Sequence, residues 1–150
     1  MKLLIKICGL KSEAALDAAL GAGADMVGFV QALSDYAKRR RPGFLVVPQN
    51  GEELLRFPDY RRAIDAVAKE DLVFGANGDG EPNSVEEVKH GIEELDRLKA
   101  EGRPVFVVEY LADPAKRAEV QRRLAGRGYV LQFAQRELRH IPEIAAPEPR

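Results

Sequence analysis

Cysteine, an excess of one charge and long apolar runs are all scarce in this sequence, and each scarcity excludes a class of protein. The single cysteine, Cys8, cannot form an internal disulfide, which favours a reducing compartment. The 23 basic and 24 acidic residues are interspersed and leave a net charge of -1, so no strong field attracts nucleic acid or an acidic membrane. No stretch approaches the ~20 consecutive apolar residues of a transmembrane helix.

The N-terminal segment superficially resembles a bacterial lipoprotein signal but is too polar to be one. The apolar run between Lys2 and Lys6 has only three residues. A signal peptide needs roughly 7–15, and Lys6 would have to enter the membrane with them. We therefore expect a cytoplasmic protein.

Five apolar runs separated by helical segments predict an α/β protein with a parallel sheet of five to six strands. A complete (β/α)8 barrel typically needs ~250 residues, so we expect an incomplete, barrel-like sheet of βα units. One domain spans residues 1–141 in this interpretation, and the Pro- and Glu-rich residues 142–150 form a flexible tail. The predicted strands are Leu3–Cys8, Phe44–Val47, Asp71–Gly75, Val105–Tyr110 and Tyr129–Phe133, and the main predicted helices are Ser12–Leu20, Asp25–Arg40, Tyr60–Ala68, Ser84–Ala100 and a segment that begins at Asp113–Pro114.

Residues 25–31 are compatible with either a strand or a helix. Met26 to Val30 is strand-like in composition, yet Met26, Val30, Leu33 and Ala37 are spaced as one helical stripe. A strand here would leave no loop before the helical residues that follow, whereas such loops usually take about 2–6 residues. The spacing therefore predicts one helix from Asp25 to Arg40.

An incomplete sheet also has consequences for assembly. Its edge strands carry unpaired backbone groups, which invite association with another chain. We therefore expect a homo-oligomer in which a second copy helps to cover the sheet edges.

Polar side chains at the ends of the predicted strands mark a candidate site, because ligands of parallel α/β folds bind at the carboxyl ends of the strands. Glu109 follows four apolar strand residues, and partial burial would raise its pKa and suit it to acid–base catalysis. The structural alternative is a glutamate paired with a neighbouring lysine or arginine. Asp79 is the second carboxylate that this pattern offers.

Other polar residues at the same strand ends suit a hydroxyl-rich ligand, so we expect a small-molecule or polysaccharide substrate. The amides of Gln49 and Asn50 have an alternative role in capping a helix, and the glycine-rich loop that carries Asn77 and Asp79 has the composition of an ordinary turn. Cys8 is either a nucleophile or base, or a small buried thiol. No metal-ligand spacing or cofactor-binding motif is present. The candidate substrate-binding residues are Gln49, Asn50, Glu52, Asn77 and Tyr110, and Gln135 and Arg136 follow the fifth strand.

Residues Met1 to about Val30 resemble the start of phosphoribosylanthranilate isomerase, a barrel enzyme of tryptophan synthesis. The matching motifs are Lys6–Leu10 and Gly23–Val30. The resemblance implies that Cys8 acts as the general base of an Amadori rearrangement. The family's arginine-bearing loop, aspartate general acid and phosphate-binding loops have no counterpart here.

From about Ala24 to Leu138 the chain is similar to the endo-α-1,4-polygalactosaminidase-like glycoside hydrolases, which are also (β/α)-barrels. This resemblance implies a sugar-binding face that includes Gln49, Asn50, Asp79 and Glu109. The family's N-terminal half, with a strand that ends in an acidic residue, is missing. The matching stretches are Arg41–Leu54, Lys69–Gly75, Val105–Tyr110 and Arg127–Val130.

Three functions follow from these patterns. The first is carbohydrate hydrolysis or binding, in which two carboxylates flank the scissile bond at about 5–5.5 Å or about 6.5–9.5 Å. Glu109 and Asp79 would be that pair. The second is an activity related to the isomerase through Cys8. The third is an inactive chimera or barrel fragment that self-associates.

Overall fold

The computed structural model describes residues 5–7 and 26–137, and for residues 5–7 and 26–29 it describes the backbone alone. Parallel strands alternate with helices along most of this length, so the predicted α/β class is confirmed. The strands are β1 (Ile5–Ile7), β2 (Val46–Pro48), β3 (Val67–Glu70), β4 (Val105–Glu109) and β5 (Val130–Phe133); the helices are α1 (Met26–Arg40), a 3-10 helix (Glu52–Arg56), α2 (Pro58–Ala63), α3 (Val85–Ala100) and α4 (Pro114–Leu124).

The strands form two parallel sheets, one of β1 and β2 and one of β3, β4 and β5. A single parallel bridge between Gln49 and Ala68 connects the two sheets. The expected continuous sheet of five to six strands is therefore not observed. Asp65 accounts for the gap, because its amide donates to the Val46 carbonyl (2.8 Å) and its carboxylate accepts from the Val46 amide (2.8 Å). These bonds occupy the polar groups that a neighbouring strand would use.

The third strand lies earlier in the chain than predicted. Helix α2 ends at Ala63 and β3 spans Val67–Glu70, whereas the sequence pattern predicts helix up to Ala68 and a strand over Asp71–Gly75. Asp71 adopts a left-handed conformation (φ 53°) and turns the chain after β3. The apolar residues Leu72–Phe74 are buried without being a strand, so their composition was misleading.

The predicted helix over residues 25–40 is confirmed by α1 from Met26 onward, and Asp25 lies outside the described residues. Among its described side chains, Val30, Ser34 and Ala37 are buried, which is one helical stripe. Helices α3 and α4 also begin where predicted, with Ser84 and Asp113 as their N-caps. Cys8, the predicted helix Ser12–Leu20 and the predicted tail lie outside the described residues.

The core lies between the β3–β4–β5 sheet and the helices that cover it. Val67, Val105 and Val107 of the sheet pack with Leu95 and Leu98 of α3, and all five side chains are inaccessible to solvent. Since this core fixes the strands rigidly, it also fixes the side chains that follow their carboxyl ends. In the described part of the chain, no helix has the length and apolarity needed to cross a membrane.

Candidate functional site

The carboxyl ends of β2, β3 and β4 and the segment after β5 converge on an open cleft of about 300 Å³. The parallel register causes this convergence, because β3 aligns Glu70 with Val108 of β4 and β4 aligns Glu109 with Phe133 of β5. The lining combines an amide, two carboxylates, two cations and a phenol. The residues are Asn50, Lys69, Glu70, Asp71, Ala76, Tyr110 and Arg136.

Two residues of this cleft have a strained backbone. Asn50 (φ 60°) and Asp71 (φ 53°) are the non-glycine residues with positive φ in the described part of the chain. The Asn50 side-chain oxygen accepts from the Glu70 amide (3.0 Å), and the Asp71 amide donates to the Val108 carbonyl (3.0 Å). Such strain persists where the surrounding structure holds it, and it is common at functional sites.

Glu109 precedes Tyr110 of the cleft lining and has no exposed surface. Its two carboxylate oxygens accept from the backbone amides of Val73 (2.7 Å) and Phe74 (3.2 Å). Burial raises the pKa of Glu109 to about 7, and the neighbouring charge of Asp71 adds a smaller increase that the amide hydrogen bonds oppose. The observed partners are amides rather than a lysine or arginine. Glu109 thereby anchors the segment that leads away from β3.

Tyr110 forms one wall of the cleft, between the Glu70 carboxylate and the Arg136 guanidinium. Its hydroxyl donates to a carboxylate oxygen of Glu70 (2.5 Å), and the Arg136 guanidinium lies 4.6 Å from the centre of its ring. Burial and the Glu70 hydrogen bond raise the pKa of Tyr110 above its ordinary range. The phenol is therefore held as a hydrogen-bond donor at neutral pH.

Arg136 connects the segment after β5 to two carboxylates that follow β3. Its terminal nitrogens bind both Asp71 oxygens (3.0 and 3.2 Å), and its Nε binds Asp79 (2.6 Å). The Asp79 side chain is 78% exposed. Asp79 is thus ion-paired at the surface, whereas Asp71 is the carboxylate whose charge acts on Glu109.

The remaining candidate residues differ in how they relate to the cleft. Glu52 is buried and pairs with Lys69 (2.7 Å), so it contacts the cleft through that lysine. Gln49 forms the bridge to Ala68, and Asn77 is exposed on the loop after Gly75. Within the described ranges, no group of three His, Cys, Asp or Glu residues has the arrangement of a metal site.

Sequence reasoning missed Lys69, Glu70 and Asp71 as site residues. The available signal was the change from charged to apolar residues at Asp71, which marks the end of β3 rather than the beginning of a strand. A strand that began four residues earlier, at Val67, would have ended at Glu70, and its last residues would have been expected at the cleft.

A second open cleft, of about 460 Å³, lies on the other side of Tyr110 and Arg136. It is bordered by the tip of the loop after β3, by the first turn of α4 and by the segment after β5. The lining residues are Asp79, Gly80, Tyr110, Leu111, Ala112, Asp113, Lys116, Ala134, Gln135, Arg136 and Glu137.

Comparison with known proteins yields two kinds of similarity, and no protein-family model matches the chain. The chain is 30% identical to an uncharacterized protein of Deinococcus radiodurans over 119 residues, which are 79% of this chain and 38% of that protein. It is 33% identical to an uncharacterized protein of Methanocaldococcus jannaschii over 105 residues, 67% of this chain and 29% of that protein. The chain therefore spans well under half of the length of these relatives.

The other similarity is short and close. A segment of 30 residues, 20% of this chain, is 73% identical to 14% of the N-(5'-phosphoribosyl)anthranilate isomerase of Rhodopseudomonas palustris. The corresponding isomerase of Beijerinckia indica matches 30 residues with 70% identity. The chain is thus similar to the isomerases in one short segment and to uncharacterized proteins over a longer stretch.

Proposed function

We propose that this protein binds carbohydrate in the cleft formed by Asn50, Glu70, Asp71, Tyr110 and Arg136. The observation that carries the proposal is the convergence of these side chains at the carboxyl ends of parallel strands. Their amide, carboxylate, phenol and guanidinium groups supply both donors and acceptors for hydroxyl groups. A volume of about 300 Å³ lies at the lower end of the range for small-ligand pockets, which suits one sugar ring.

Hydrolysis of a glycosidic bond, for example in a galactosamine-containing polymer, is the reaction that this site supports best. Glycosidases use one protonated and one ionised carboxyl group. A pKa of about 7 keeps Glu109 partly protonated near neutral pH, as a general acid requires. Since residues 72–74 cover Glu109, that segment has to move for a substrate to reach it. Asp79 and Asp71 are the two candidates for the ionised partner.

The experiment measures binding and turnover separately. Galactosamine oligosaccharides are titrated by calorimetry, and new reducing ends are counted after incubation with the polymer. Tyr110→Phe should weaken binding, and Glu109→Gln should abolish hydrolysis while binding persists. Asp71→Asn and Asp79→Asn identify the second carboxylate. Glu93→Gln is the control, because this α3 carboxylate is exposed and lines neither cleft. Absence of binding to the unmodified protein contradicts the proposal.

An isomerase-related activity is the second candidate, favoured by the 30-residue match to the anthranilate isomerases. The resemblance assigns the general base to Cys8. Conversion of phosphoribosylanthranilate by the purified protein, lost in Cys8→Ser, would support this function. A chain without turnover in this assay contradicts it.

The third candidate is an inactive chimera or section of a (β/α)-barrel that self-associates as a homodimer. Two observations favour it: the chain matches 38% or less of its longer relatives, and β5 pairs with β4 along one edge within the described sheet. A dimeric mass by light scattering together with silence in both activity assays would support it. A monomeric mass at all concentrations contradicts it.

A further inference from the structure

The larger cleft contains two cations that are directed at the same loop tip. Lys116, in the first turn of α4, donates to the Gly80 carbonyl (2.8 Å), and Arg136 binds the adjacent Asp79 (2.6 Å). Both cations also line the cleft of about 460 Å³. The tip therefore supplies one carbonyl oxygen and one carboxylate to a pair of positively charged side chains.

Lys116 has an incomplete set of partners for a half-buried ammonium group. Within the described residues it has no carboxylate at ion-pair distance, and besides the Gly80 carbonyl it contacts the ring of Phe74 (5.8 Å to the centre). A desolvated cation gains most from a hydrogen bond to an anion. Lys116 therefore gains more than Arg136 from a hydrogen bond to an incoming anionic group.

Arg136 holds Asp71 and Asp79 with different strength. Both terminal nitrogens contact Asp71, whose side chain is largely buried, and this bidentate arrangement fixes the guanidinium. Asp79 contacts the remaining Nε and is exposed. Exposed ion pairs contribute little to stability, so a ligand oxygen can replace Asp79 at small cost while Asp71 keeps Arg136 in place.

The loop that carries Asp79 is closed by backbone hydrogen bonds that do not involve the Asp79 side chain. The Gly75 amide donates to the Glu81 carbonyl (2.8 Å), and the Glu81 amide donates to the Gly78 carbonyl (2.9 Å). The first bond closes the base of the loop, and the second closes a turn whose two central residues are Asp79 and Gly80, so the Asp79 side chain can leave Arg136 while this turn persists. Gly80 has a positive φ of 71°, a conformation that glycine adopts without strain.

Two further carboxylates line the cleft, and among the described residues neither forms an ion pair with Lys116 or Arg136. Asp113 accepts from the Ala115 amide (2.8 Å) as the cap of α4, and Glu137 is exposed at the rim. The α4 N-terminus, next to Lys116, adds a partial positive charge.

We propose that the larger cleft binds the carboxylate of an acidic sugar between Lys116 and Arg136. When the ligand is absent, the Asp79 carboxylate binds Arg136 and the Gly80 carbonyl binds Lys116. This inference rests on the proposed carbohydrate function and assigns an acidic sugar unit of the carbohydrate to the larger cleft. The sugar carboxylate replaces the Asp79 carboxylate on Arg136 and the Gly80 carbonyl on Lys116. The ring then lies against Tyr110, which the two clefts share.

The test compares three sugars that share one ring and differ in charge. Galacturonate, galactose and galactosamine are titrated against the full chain by calorimetry, with inorganic phosphate as a simple anion. We expect galacturonate to bind about tenfold more tightly than galactose, because a charge-assisted hydrogen bond replaces a neutral one. Increasing salt should reduce this preference.

Two variants and a control assign the effect to the cleft. Lys116→Met should weaken galacturonate binding about tenfold and leave galactose binding unchanged. Asp79→Asn should strengthen galacturonate binding, since it removes the competing internal carboxylate. Lys89→Met, on the exposed face of α3, should change neither. Thermal unfolding verifies that each variant is folded.

The outcomes separate this inference from the function on which it rests. If galactose and galactosamine bind but galacturonate does not, carbohydrate binding stands and the acidic-sugar site is overturned. If phosphate binds in a Lys116-dependent manner while every sugar fails, an anion site exists but both proposals about sugars are wrong. Equal affinity of Lys116→Met and the unmodified chain for galacturonate also overturns the inference.

Discussion

Glu109 shows how one buried carboxyl group links the sheet to the cleft. It is the last residue of β4, and its oxygens accept from the amides of Val73 and Phe74, which precede the loop that carries Asp79. The same burial that makes this anchor firm makes its ionised form costly. The charge state of Glu109 is therefore coupled to the stability of the folded chain.

The pH dependence of unfolding should reveal this coupling. The pKa of Glu109 rises from 4.5 to about 7 on folding, so the folded chain binds more protons between these pH values than the unfolded chain. Stability attributable to Glu109 is then fully present below about pH 4.5 and is lost as the pH rises through about 7, by an amount of the order of 3 kcal/mol at most. Urea unfolding of the unmodified chain and of Glu109→Gln from pH 5 to pH 8 measures the difference. Parallel pH profiles would contradict the assigned burial effect.

A glycine beside Asp71 offers a second test at the residue scale. Gly75 has a φ of 103°, and a Cβ atom there would lie 2.4 Å from an Asp71 carboxylate oxygen. Gly75→Ala should therefore cost roughly 1–3 kcal/mol more than a substitution that changes the backbone preference alone. Gly102→Ala is the matched control, because Gly102 also has a positive φ (77°) but has open space around it. Equal losses in chemical denaturation of the two variants would show that the Asp71 geometry is wrong.

At the scale of elements, sequence reasoning succeeded where a local signal and tertiary packing agree. Ser84 and Glu87 form a capping box at the start of α3, and residues 26–40 form one helix because their apolar spacing is helical. It failed at β3, where Val67–Glu70 forms the strand although Leu72–Phe74 is more apolar. The apolar composition of Leu72–Phe74 predicts burial but not the irregular backbone, because the amides of Val73 and Phe74 bind Glu109, which is distant in sequence.

The capping box at the N-terminus of α3 should contribute a measurable part of the free energy of unfolding. The Ser84 side chain accepts from the Glu87 amide (3.2 Å), and the Glu87 side chain accepts from the Ser84 amide (2.9 Å). Ser84→Ala should cost about 1 kcal/mol of unfolding free energy, because a helix-end amide loses its partner. Chemical denaturation measures the loss, and Ser84→Thr, which retains the hydroxyl, should recover most of it. A neutral Ser84→Ala variant would exclude the cap.

For the whole molecule, the parallel direction of the strands is what brings the site residues together. Asn50 follows β2, Asp71 follows β3, Tyr110 follows β4 and Arg136 follows β5, yet all four line one cleft. This convergence was predictable from the strand–helix alternation. The gap between β2 and β3 was not, because it arises from the hydrogen bonds of Asp65 to Val46.

The edge formed by β5 should govern any self-association. Val130 is 53% exposed on this strand, which pairs with β4 on one side in the described sheet. A lysine on an edge strand opposes pairing with another chain. Val130→Lys should therefore shift a dimer toward monomer in sedimentation velocity without lowering the thermal midpoint. An unchanged dimer would place the contact elsewhere on the molecule.

The most direct test of the ligand cleft is to map galacturonate binding onto the backbone by NMR chemical shifts. We predict that the amide signals of Tyr110, Lys116 and Arg136, which line the larger cleft, move during the titration, together with those of the Asp79–Gly80 tip. Signals at the opposite strand ends, such as those of Arg103 and Gly128, should stay in place. Shifts confined to that opposite end, or no saturable shifts with any sugar, would contradict the assignment of this face as the binding site.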